Sequence, residues 1–65
     1  MHNSEIMIRE DIKNMDAHRL AYRKDEIKTD IKYAFWHGFI SEYKYKKLLQ
    51  KVQDKYNEIC RNITS

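Results

Sequence analysis

The C-terminal part of the chain has the clearest pattern of hydrophobic and polar positions. Apolar residues recur there at spacings of three and four, which places them on one helix face about 100° wide. Ser41 precedes the pattern and can cap a helix, because its hydroxyl can accept from an N–H of the first turn. Glu42 then complements the helix dipole. The pattern predicts a helix over residues 41–62 with the stripe Tyr45, Leu48, Leu49, Val52, Tyr56, Ile59 and Ile63.

A second apolar stripe lies just before a short turn at Gly38–Ser41. A glycine after the last helical turn can adopt the left-handed conformation that closes a helix, and we expect Phe39 to make the accompanying apolar contact. Ile40 and Tyr45 stand at the two positions of a hydrophobic staple. Helices joined by so short a turn form an αα-hairpin. The stripe is Leu20, Ile27, Ile31, Ala34 and Phe35, interrupted by Lys24, and its last four members should pack against Leu48, Leu49, Val52 and Tyr56.

The N-terminal third also has helical spacing, with Ser4 as its cap and a stripe of Ile8, Ile12, Met15 and Tyr22. On a continuous helix this stripe would lie about 130° around from the next one. Two arrangements satisfy that offset. Either the chain bends near Tyr22 to Asp25, with Asp25 as a new N-cap, or one long helix carries two apolar faces and needs a partner for the second. Ordinary helix lengths slightly favour the bend, and hence three helices.

Composition agrees with an all-α fold, because the 65 residues include one glycine and no proline. A chain this short buries only about 60% of its unfolded surface, so such scaffolds usually add disulfides, a metal or self-association. Cys60 is the only cysteine, and His2, His18 and His37 are scattered without partners at metal-ligand spacing. We therefore predict one small helical bundle over residues 1–65, of two or three helices, without cofactor or metal and dimeric.

Several classes of function are not expected from this sequence. No nucleophile stands with a base and no paired acid and base is visible, so we predict neither an enzyme nor a small-molecule substrate. No apolar run approaches the ~18 residues of a membrane span, and the lone cysteine suits a reducing cytoplasm. Abundant Lys, Ile, Asn and Tyr with scarce Ala and Gly are typical of AT-rich coding, which indicates a bacterium or its phage or plasmid.

Protein binding is the first functional hypothesis. Tyr22, Tyr33 and Trp36 project from the side of the middle helix away from its core stripe, and Met15 joins them if the helix is continuous. Tyr, Trp and Met are enriched at interface cores. The alternative is that the first helix folds back and covers these rings as ordinary core. If it does not, the surface suits a homodimer or a host or phage protein that this chain would regulate.

DNA binding is the second hypothesis, and it depends on a row of lysines. The net charge is +3, and residues 41–65 hold six of the 13 basic residues against three acidic ones. Such a row could neutralise phosphates, although lysines that flank a core stripe are more often solvated. A standard helix-turn-helix is not supported, because its apolar positions six and nine after the glycine are lysines here. The row is Lys44, Lys47, Lys51 and Lys55.

Overall fold

Three α-helices make up most of residues 4–64, which is the part of the chain that the computed structural model describes. They are α1 (Ser4–Lys13), α2 (Leu20–Trp36) and α3 (Glu42–Thr64). No strand occurs within that range. The predicted all-α class and the choice of three helices are confirmed. Capping by the side chain of Ser4 lies outside what is described, although α1 begins at that residue.

The turn between α2 and α3 is closed by backbone hydrogen bonds. Gly38 has a φ of 74°, the left-handed conformation. Its N–H donates to the carbonyl of Phe35 at 3.0 Å, and the N–H of Phe39 donates to that of Ala34 at 2.8 Å. This pair of bonds is the Schellman arrangement, which satisfies two carbonyls at the helix end. The predicted helix end at Gly38 is confirmed.

The residues on either side of this turn divide between core and solvent. Ser41 Oγ accepts from the Lys44 N–H at 3.2 Å, so the predicted N-cap of α3 is confirmed. The prediction that Phe39 packs as the apolar contact of the turn is wrong: its side chain is 59% exposed and Ile40 is buried instead. Only one of two consecutive apolar residues can point inward from so tight a turn, and the one next to the cap takes that place.

The core between α2 and α3 is the predicted one. Its fully buried side chains are Ile27, Ile31, Leu48 and Val52. Ala34 is buried with them, and the other members of both predicted stripes except Ile63 border this core, with Phe35 stacked on Tyr45 at a centroid distance of 4.5 Å. Two positions interrupt the pattern. Lys24 places its ammonium 4.3 Å from the ring centroid of Tyr56, so its stem lies along the core edge. Ile63 is exposed, because the last turns of the longer α3 extend past α2.

Helix α1 folds back onto the hairpin through three residues of its stripe. Ile8, Ile12 and Met15 are 3%, 7% and 5% exposed and belong to the same core. Tyr22, the fourth residue predicted for that stripe, is 61% exposed. The predicted bend at Tyr22 to Asp25 is therefore in the wrong place, since both residues lie inside α2 and Asp25 caps nothing.

The break comes earlier, at residues 14–19. Asp16 Oδ1 accepts from the His18 N–H at 2.9 Å, a local turn that competes with helical hydrogen bonding. Arg19 precedes α2 with a φ of 51° and no side-chain cap. The short polar side chain of Asp16 therefore forms a local turn just past the end of α1. The physical reason for the error is that a cap was expected where the stripe changed direction, whereas the chain turns at Asp16.

The docking of α1 can be tested with two isoleucines of the same helix. Ile12→Ala should lower the free energy of unfolding by about 2–4 kcal/mol, because it leaves a cavity in the core. Ile6 is 56% exposed, so Ile6→Ala should change it by no more than about 0.5 kcal/mol. Urea unfolding followed by circular dichroism measures both. Equal small effects would mean that α1 is not docked.

Candidate functional site

The outer side of α2 carries three exposed aromatic side chains. Tyr22, Tyr33 and Trp36 are 61%, 59% and 82% exposed. At 3.6 residues per turn they fall within a sector of about 60°, opposite the buried Ile27 and Ile31. Neither α1 nor α3 covers them. We call this surface the aromatic face; it keeps three of the four residues predicted to bind a partner.

Met15 is the fourth of those residues, and the structure separates it from the others. It lies in the core with Ile12, two residues past the end of α1. The sequence placed it with the aromatic residues only on the condition that one helix continued through it. The break at residues 14–19 removes that condition.

The aromatic face continues into the turn that follows α2. The ring centroids of Tyr33 and His37 are 4.1 Å apart, and those of His37 and Phe39 are 6.0 Å apart. Sequence reasoning missed Phe39 and His37 here, because it treated the first as the apolar contact of the turn and the second as a helix-end cation. The available signal was the apolar pair Phe39-Ile40, of which only one could be buried.

The four predicted lysines have different surroundings. Lys44 Nζ donates to Glu5 Oε1 at 2.7 Å, and this ion pair joins α3 to α1. Lys47 Nζ lies 5.4 Å from the ring centroid of Tyr43. Lys51 and Lys55 line a groove between α1 and α3. The structure therefore brings two of the four to a concave site.

The opposite wall of that groove is basic as well. Arg9 and Lys13 of α1 line it, one helical turn apart. Sequence reasoning missed both residues, because it could not tell on which side of α3 the first helix docks. Their spacing of four, on the flank of the Ile8 and Ile12 stripe, was the signal that could have found them.

Two carboxyl groups on this framework have pKa values displaced in opposite directions. Hydrogen bonds from Lys44 and then Arg9 hold the pKa of Glu5 below its usual value. The pKa of Asp30 is raised, first by burial and then by the nearby carboxylates of Asp11 and Glu26. Between α1 and α2 the carboxylates thus lie close to one another, whereas between α1 and α3 opposite charges meet.

The described part of the chain shows neither a metal site nor a membrane-spanning helix. Across residues 4–64, no group of three or more His, Cys, Asp or Glu side chains could hold a metal ion. None of the helices described combines the length and apolar character that a membrane crossing requires.

Comparison with known proteins identifies no relative. No protein family matches the sequence, and no curated protein or solved structure is significantly similar to it.

The two displaced carboxyl groups predict opposite effects on stability. At pH 7, Glu5→Gln should lower the free energy of unfolding, by up to about 1 kcal/mol, because it removes an ion pair that is favourable in the folded state. Asp30→Asn should raise it, by at most about 0.5 kcal/mol, because it removes a charge that folding disfavours.

Both effects should fade on acidification. A lowered folded pKa stabilises above the unfolded value, about 4.3 for Glu, and this contribution is lost as pH falls through the folded value. The raised pKa of Asp30 destabilises above the folded value, and its penalty also disappears once the group is protonated. Urea unfolding at pH 7 and at pH 3 measures this, and the same sign for both variants at pH 7 would contradict it.

Proposed function

We propose that this chain is a small, non-catalytic binding protein that associates through the aromatic face of α2, first with a second copy of itself. The observation that carries the proposal is the exposure of Trp36, 82%, beside an exposed Tyr33. Trp and Tyr dominate the binding energy of interfaces when a partner desolvates them. A 65-residue chain with a small core also gains more than a large one from burying further apolar surface in a dimer.

The spacing along the face supports helix-to-helix pairing. Tyr22, Glu26, Thr29, Tyr33 and Trp36 follow one another at intervals of four, three, four and three. Alternation of that kind is the heptad pattern by which two helices pack along a common seam. The seam is about 21 Å long at 1.5 Å per residue.

An antiparallel pairing fits this seam. Thr29 is midway between Tyr22 and Trp36 in the sequence, so a two-fold axis at Thr29 places Tyr22 of one chain level with Trp36 of the other. Its small side chain lets the two helices approach closely at the axis. The contact is isologous, as in most homodimers.

Charge also favours the antiparallel direction. Asp25 and Lys32 are both exposed and lie on the same flank of the face. With the axis at Thr29, Asp25 of one chain comes level with Lys32 of the second copy, to within one residue. A parallel pairing would not bring these two charges together, because the same flank of two parallel helices lies on opposite sides of the seam.

We further propose that the protein regulates another protein through such a contact. We also propose that it acts in the cytoplasm of a bacterium, as the product of a phage or plasmid. What supports a further partner is the apolar surface at the turn. Phe39 and Tyr43 are 59% and 68% exposed there, outside the seam. Isolated exposed rings are ordinary, but two exposed rings in one short segment favour a contact surface there.

Removal of the tryptophan tests the interface. Trp36→Ala should weaken dimerisation by about 2 kcal/mol or more, roughly 30-fold in Kd, while helicity is kept. Tyr43→Ala is the matched control, an exposed aromatic outside the seam, and should leave the dimer intact. Light scattering gives the mass and circular dichroism the helicity. A monomeric parent chain, or an unfolded Trp36→Ala, would refute the interface.

Charge exchange tests the direction of pairing. Asp25→Lys and Lys32→Asp should each weaken the dimer, on the order of tenfold at low salt, because each creates two like-charge contacts across the axis. The double variant Asp25→Lys/Lys32→Asp should recover most of the affinity. Sedimentation equilibrium measures all three. Additive losses in the double variant would rule out the antiparallel arrangement.

A further inference from the structure

The groove between α1 and α3 gathers positive charge from two helices. It has a volume of about 380 Å³ and is lined by Arg9, Lys13, Lys51 and Lys55, together with the apolar Ile12. Each helix contributes two cations one turn apart, so the cations form two short rows facing each other across the groove. Lys47 continues the α3 row toward the turn between α2 and α3.

Three of these cations have no carboxylate partner within residues 4–64. Lys13, Lys51 and Lys55 form no ion pair with any residue in the described range, while Arg9 pairs with Glu5 at 3.0 Å. Two carboxylates, Asp54 and Glu58, also line the groove. Asp54 accepts from Gln50 along α3 at 2.8 Å, so part of its hydrogen-bonding capacity is already used. Positive charge therefore exceeds negative charge at this surface.

We propose that this groove binds the phosphate backbone of duplex DNA, with Lys13, Lys51 and Lys55 as its principal contacts and Arg9 beside them. Lysine is a compact point charge suited to phosphate oxygens. The residues of this site belong to α1 and α3, so a test of the groove is independent of a test of the aromatic face on α2.

Other polyanions fit the groove less well. An acidic protein would need apolar anchors, and lysine is depleted from protein interfaces. The apolar residue that lines the groove, Ile12, is only 7% exposed. Single-stranded nucleic acid is usually held by stacking on aromatic side chains, and the residues lining the groove include none. Duplex backbone needs only the charges.

Salt dependence gives the expected size of the effect. Four phosphate contacts would give a slope of about −3.6 for the logarithm of the association constant against that of the salt concentration. Affinity for a short random-sequence duplex should therefore fall on the order of 100-fold between about 50 and 200 mM salt. A slope near zero would overturn the proposal.

Charge reversals on the two walls test the site itself. Lys13→Glu on α1 and Lys51→Glu on α3 should each weaken duplex binding by about tenfold or more at low salt, as measured by fluorescence anisotropy. Lys46→Glu is the matched control, because this lysine is exposed on the other side of α3 and pairs with Glu42 at 3.5 Å. Glu58→Gln should tighten binding by removing a repulsive carboxylate.

The outcomes separate the alternatives. Losses confined to Lys13 and Lys51, with helicity unchanged by circular dichroism, would support the groove. An equal loss for Lys46→Glu would overturn it, because net charge alone would then explain binding. Tighter binding of single-stranded DNA would overturn the assignment to duplex. Displacement of the duplex by poly-glutamate of matched charge, at lower concentration than competing duplex, would overturn it in favour of an acidic protein.

Discussion

One-sided burial of α2 is the constraint on which the rest of the structure depends. In a bundle of three helices, each helix turns only one side toward the other two. On α2 that side carries Ile27 and Ile31, which are buried against Leu48 and Val52. When α1 folds back, it adds Ile8 and the rest of its stripe to the same core. Nothing in the described chain then remains to cover the opposite side of α2, where Trp36 lies.

The docking of α1 has a second consequence, which is the groove that forms between α1 and α3. The apolar stripe of α1 docks on the core, and the ion pair between Lys44 and Glu5 joins the start of α1 to the start of α3. The next turns of α1 then bring Arg9 and Lys13 level with the lysines in the middle of α3. A single packing event thus leaves an aromatic face on one surface and creates a basic groove on another.

Much of this fold could be predicted from the sequence, because its strongest signals are local. The stripe of α3, the cap at Ser41 and the closing glycine each depend on residues within a few turns of one another. The position of the break between α1 and α2 was harder to predict. Two local signals indicate a bend at different places: the Asx turn at Asp16, and the change in direction of the apolar stripe after Tyr22.

Long-range arrangement explains what was missed at the candidate sites. The aromatic face was visible from spacing alone, but whether α1 covered it depended on tertiary packing, which spacing does not specify. For the same reason the lysines of α3 were foreseen and the basic residues of α1 that join them were not. The turn pattern does not specify which of two adjacent apolar residues points inward, so it predicts Phe39 as the apolar contact of the turn where Ile40 is the buried residue.

The most direct test of one-sided burial uses the single tryptophan as its own probe. Trp36 fluorescence and its quenching by acrylamide would be measured over a wide range of protein concentration, beside the mass from light scattering. If α2 buries one side in the monomer and the other in a dimer, Trp36 emits as a water-exposed ring when dilute. On dimerisation its emission then shifts to shorter wavelength and resists quenching. A shielded Trp36 in the dilute monomer, or an exposed one at every concentration, would contradict it.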